Sequence, residues 1–181
     1  NAFGAASDQE VRIYSVNSAG TGNLTLGVST VIERPVVFDT YNDYGNILKM
    51  HQGVEARFTK PVTMTGNLRM SLDGKNKMVF EGGGEFLNGW LCFSSAWNIA
   101  ENHPMSEWIF KGEKQYKINY LYMSGYVNVT LASQDVQLNT FDIKAKYCRL
   151  NLAVPNALNN DSTRGILDNA DATLSTSRSA I

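Results

Sequence analysis

Apolar side chains recur at every second position along most of this chain. Leu24, Leu26, Val28 and Ile32 share one parity, and Asn23, Thr25, Gly27 and Ser29 fall between them. A period of two puts successive side chains on opposite faces, so the pattern predicts half-buried β-strands. The alternation returns in Val54, Ala56 and Phe58 against Glu55, Arg57 and Thr59, and in Leu68, Met70 and Leu72 against Asn67, Arg69 and Ser71. It continues through Met78 and Phe80, through Val127, Val129 and Leu131, and through Cys148, Leu150, Leu152 and Val154. Residues 18–23, 39–46, 73–76, 82–84 and 156–162 carry the Gly, Asn and Asp that tight turns require. The expectation is one all-β domain over residues 1–181 with little room for helices.

Residues 94–108 depart from the pattern and read as a loop insertion. Ser94 and Ser95 can cap a short helical turn there, and His103-Pro104 would end it. Insertions on regular scaffolds commonly carry binding surfaces. A repeat also stands out: Gly22-Asn23-Leu24-Thr25-Leu26 and Gly66-Asn67-Leu68-Arg69-Met70 lie 44 residues apart. Two rungs of about 22 residues each would bring them into register in a β-solenoid. The alternation suits an antiparallel β-sandwich or jelly roll equally well, so strand direction stays open.

Several segments resemble the autotransporter-associated β-strand repeats of bacterial surface proteins. Asn1-Ala2-Phe3-Gly4-Ala5 followed by Val11-Arg12-Ile13 is similar to their opening phrase, and the stretch from Arg164 to Leu174 is similar to their glycine, apolar, Asp, Asn, Thr-Leu phrase. Val62 to Leu68 with Lys77 to Gly82 resembles their paired short strands before a glycine corner. The likeness covers about half the chain, and the aromatic-rich segment from Phe86 to Tyr126 departs from it. It implies a right-handed parallel β-helix, export to the bacterial surface or secretion, and a structural or adhesive role.

A net charge of -1, from 16 basic and 17 acidic residues interspersed, offers no footprint for nucleic acid or an anionic membrane. No apolar run is long enough for a membrane helix, so membrane insertion of this segment is not expected. The chain starts at Asn1 without a targeting segment, which reads as part of a larger polypeptide. Cys92 and Cys148 fall outside any Cys-x-x-Cys pair; they are either buried free thiols or a disulfide, and no zinc site is expected.

Candidate chemistry is sparse. His51 and His103 could serve as bases beside Cys92 or Ser95, but no nucleophile elbow accompanies them. Glu81 and Glu85 flank the Gly82-Gly83-Gly84 corner, and Glu101, Glu107 and Glu113 surround the insertion; solvated surface charge is the simpler reading. Asp39-Thr40-Tyr41-Asn42-Asp43 is oxygen-rich without calcium-loop spacing, and the glycine run lacks a Walker Lys. The triplets at Asn23, Asn128 and Asn160 matter as glycosylation sites only in a eukaryotic secreted protein. No catalytic residue, metal or cofactor is therefore expected. The aromatics are the remaining lead: Trp90, Trp97, Trp108 and Tyr116 are the candidate ligand contacts, because flat rings stack on pyranose faces. Tyr120 and Tyr122 share strand parity with Ile118, so at least some of these aromatics are expected in the core. Glycans or a host surface are the expected partners. The function expected is a non-catalytic structural or adhesive segment, with a carbohydrate-binding sandwich module or a polysaccharide-acting enzyme fragment as alternatives.

Overall fold

The computed structural model describes residues 3–14, 23–39, 46–72, 75–95, 105–144, 147–154, 157–158, 163–167 and 173–176. Among these residues the chain forms strands and turns, with no helix. In chain order the first strands are β1 (Val11–Tyr14), β2 (Asn23–Leu26), β3 (Thr30–Ile32), β4 (Val36–Asp39), β5 (Asn46–Met50) and β6 (Glu55–Phe58). Next come β7 (Val62–Met64), β8 (Leu68–Leu72), β9 (Lys77–Phe80), β10 (Gly84–Phe86), β11 (Leu91–Ser94) and β12 (Ser106–Gly112). The last are β13 (Tyr116–Ser124), β14 (Val127–Ser133), β15 (Val136–Ile143), β16 (Arg149–Leu152), β17 (Arg164–Leu167) and β18 (Thr173–Thr176).

Each strand pairs in parallel with the strand one coil later, as β1 does with β4, β2 with β5 and β3 with β6. The chain is therefore a parallel β-helix, and the antiparallel alternative is set aside. Every third strand stacks in one column while the coils are three-sided: β1, β4, β7 and β10 in the first, β2, β5, β8 and β11 in the second. The third column runs β3, β6, β9, β12, β14, β16 and β18 as a separate sheet. At β13 the first two columns fuse: its residues Tyr116–Ile118 pair with β10, and Leu121–Ser124 pair with β11. The corner between those columns is then lost, and β15 continues the fused face.

The repeated Gly-Asn-Leu phrase does lie in one column, on β2 and β8. Its register differs from the motif alignment: Leu24 pairs with Leu48 and Leu48 with Met70, so Leu24 sits above Met70 and not above Leu68. A shift of two residues keeps the same face inward, which is why the alternation survives it.

Inward side chains form one continuous core. In the third column Phe58, Phe80 and Phe110 stack on one another, with ring centroids 5.3 Å and then 4.8 Å apart. This near-parallel pile follows the strand spacing of a sheet, so each added coil brings its ring into contact with the last. Phe86 and Tyr116 pack edge-on against it, and Phe93 stacks on Trp108 at 4.8 Å. The pattern misleads at Val28, which lies past the end of β2 at a corner and is 73% exposed.

Corners use side-chain amides and glycines. Buried Asn76 accepts from the Val54 N–H at 3.1 Å and donates to the Met50 carbonyl, closing one corner against the previous coil. Between β9 and β10 the backbone turns at Gly83 with φ of +80°, and Gly82 lies so close to the preceding coil that a Cβ would come 2.2 Å from the Lys60 carbonyl carbon. That corner is expected from the glycine run, and its reason is both left-handed backbone and close approach. The supposed insertion is partly regular: Ser94 ends β11, Ser106 begins β12, and residues 96–104 lie outside those described.

Candidate functional site

A groove forms where the fused face is broadest. Leu68 and Met70 point inward from β8, which turns Arg69 outward; Leu91 and Phe93 do the same for Cys92 on β11. Leu121 and Met123 turn Tyr122 outward on β13, and Phe141 and Ile143 turn Asp142 outward on β15. Arg69 pairs with Cys92, Cys92 with Tyr122, and Tyr122 with Asp142, so four consecutive coils place these residues in one line. With Trp90, Tyr120 and Lys144 they line a recess of about 500 Å³. A second recess of similar volume, near Ser29 and Arg57, has no aromatic ring on its walls among the described residues.

Trp90 and Tyr122 lie side by side in the lining of the groove, their ring centroids 6.4 Å apart and planes tilted by 52°. Both are half-buried, leaving ring surface open. Asp142 is almost closed off, at 2% exposure. Its Oδ2 accepts from the Tyr120 hydroxyl at 2.7 Å and pairs with Lys144 Nζ at 3.2 Å. Its Oδ1 has no hydrogen-bond partner, and neither has Arg69 Nε at the other end of the line. Both atoms are buried, so each is an unmet hydrogen-bonding group beneath the surface of the recess and a cost to the fold.

Titration follows burial. Burial pushes the Cys92 thiol up to about 11, and the Arg69 guanidinium beside it only partly offsets this. A thiol held protonated is a poor nucleophile. Tyr120 is pushed up to about 12 by burial and then by its bond to the Asp142 carboxylate, so it stays a hydrogen-bond donor. Burial also raises Tyr122.

Of the ligand contacts expected from sequence, Trp90 lines the groove. Trp97 lies outside the described residues. Trp108 and Tyr116 are corrections: both are wholly buried. Trp108 shares the inward parity of Ser106 and Phe110, and Tyr116 shares that of Ile118 and donates its hydroxyl to the Lys111 carbonyl at 2.9 Å. For Trp108 the signal was present in sequence, since Glu107 and Lys111 claim the other face.

Tyr120 and Tyr122, whose parity with Ile118 points inward, both face out of the core. Ile118 and Leu121 both face inward because β13 crosses the bend where the columns fuse, and the inward parity changes there. The two tyrosines are thereby delivered outward.

Cys92 and Cys148 are buried free thiols, and Cys148 Sγ contacts the Gly125 carbonyl at 3.2 Å. His51 is exposed beyond β5, and His103, Glu101 and Asp43 lie outside the described residues. Ser95 is buried and accepts from the Tyr126 N–H at 2.6 Å. Glu81 meets Arg57 at 3.0 Å and Lys111 at 2.9 Å; burial acts to raise its carboxyl, but these two cations together outweigh it and the net direction is down. Glu85 pairs with Lys117. Asp39 bonds Arg12 and Thr65. Among the described residues no group of three His, Cys, Asp or Glu side chains is placed to hold a metal, and no helix is long and apolar enough to cross a membrane.

No family model, curated protein or solved structure matches the chain.

Proposed function

We propose that this chain is a non-catalytic segment of an exported bacterial surface protein, and that its solenoid presents a lateral groove for carbohydrate. The observation carrying this reading is that half-buried Trp90 and Tyr122 share one recess with the polar side chains of Arg69, Tyr120 and Lys144. Rings of this kind stack on the C–H faces of pyranoses, while convergent polar groups read hydroxyls. The resemblance to autotransporter-associated repeats supports the placement on a surface. Stacked coils suit such a role because each coil adds length and repeats the lateral face.

A polysaccharide-cleaving alternative draws less support. Asp142 is the one carboxylate lining the groove among the described residues, whereas glycoside hydrolysis uses two acids across the scissile bond.

The test is a glycan array probed with the wild-type chain and with Trp90→Ala and Tyr122→Ala. Binding that both substitutions abolish, with circular dichroism unchanged, is the expected result. A blank array, or binding indifferent to both changes, would remove the reading.

A further inference from the structure

Charge among the described residues of the groove is uneven. Lys144 is compensated within the site by Asp142, which lies 3.2 Å away and is itself held by Tyr120. Arg69 is different. It enters no salt bridge among the described residues, its register partner is the neutral Cys92, and its Nε has no acceptor. Among the described lining residues, two cations and one carboxylate leave one positive charge uncompensated, at Arg69.

We infer that the groove selects a carboxylate-bearing saccharide, with the sugar carboxylate on the Arg69 guanidinium and a neighbouring pyranose face on Trp90 and Tyr122. Guanidinium groups hold carboxylates through two parallel N–H···O bonds, and half-buried Arg69 lines the recess with no carboxylate partner of its own among the described residues. From Arg69 to Asp142 the line crosses three strand spacings, roughly 14 Å at about 4.8 Å each. An oligosaccharide can therefore reach from the cation to the Tyr120–Asp142–Lys144 cluster, where an uncharged sugar hydroxyl fits better than a second acid. The inference rests on the carbohydrate reading above and adds the acidic class and the residue that reads it.

The experiment is calorimetric titration with short oligogalacturonates and with sialyllactose, each beside its carboxyl-reduced neutral counterpart. The acidic form of at least one pair should bind about tenfold more tightly at low salt, the yield of one charged hydrogen-bonded contact. Raising the salt should shrink that advantage. Arg69→Gln should erase the difference between the acidic and neutral forms with the melting temperature in place, and Arg69→Lys should restore part of it.

Equal binding of acidic and neutral forms, or an acidic preference that survives Arg69→Gln, overturns the inference. If those neutral sugars still need Trp90, the carbohydrate reading stands without it. No binding by either form of either pair takes both down.

Discussion

Removing the Phe80 ring tests the packing on which the solenoid depends. Phe80 is wholly buried, sandwiched between Phe58 at 5.3 Å and Phe110 at 4.8 Å, with Phe86 edge-on at 6.2 Å. Phe80→Ala therefore opens a void touching rings from the coil before, the coil after and the adjoining face. Burial of an aromatic ring and the cavity left behind together place the cost at about 3–5 kcal/mol. Against a domain stability of roughly 5–15 kcal/mol this is a large fraction. Phe80→Leu refills part of the space and should cost about 1–2 kcal/mol. Leu87→Ala, at a position 42% exposed, should stay within about 0.5 kcal/mol. The assay is urea unfolding followed by far-ultraviolet circular dichroism and by tryptophan fluorescence, since Trp108 is in the same core. Because coils touch mainly their neighbours, the two probes should shift together only if the damage crosses the interface. A loss below about 1 kcal/mol for Phe80→Ala, with unchanged denaturant slope, would refute the argument that stacked rings hold successive coils together.

Two further outcomes follow from the corners and from the groove floor. Gly82→Ala drives a Cβ to 2.2 Å from the Lys60 backbone and should cost about 3 kcal/mol, whereas Gly53→Ala, at φ of +77° with nothing within 4 Å, should cost about 1 kcal/mol; thermal melting of both would show whether close approach outweighs backbone strain. For Cys92, the unfolded thiol ionises near its ordinary 9.0 while the folded one keeps its proton to about 11. Its contribution is thus fully present below pH 9 and lost as pH rises toward 11, by roughly 3 kcal/mol for a two-unit shift. Urea midpoints at pH 8 and pH 11 should converge in Cys92→Ala relative to wild type, and native-state iodoacetamide labelling at pH 8 should be slow; equal pH slopes in the two proteins would count against a closed thiol.

Much of this architecture was legible along the chain because alternation is a local property. Leu68 and Met70 with Arg69 between them, or Leu91 and Phe93 with Cys92 between them, already state which side chain faces the core and which faces out. Turn residues and the glycine corner were readable for the same reason. The groove was not, because its residues come from four coils and meet only through strand register. Nothing near Arg69 in the chain announces Tyr122 or Asp142.

By itself, then, the sequence determined that the chain is built of short strands, where most of them turn, and which face of each seeks an apolar interior. The coiled stacking decided the rest: parallel pairing, the two-residue offset between similar motifs, and the fusion of two faces at β13. That fusion reverses the expected fate of the aromatics, since a strand crossing a bend must change which parity looks inward; Tyr120 and Tyr122 reach the surface while Tyr116, on the same strand, stays inside. Hydrogen bonds between coils, made across twenty or more residues of chain, set that geometry, and a pattern read within one strand carries no information about them.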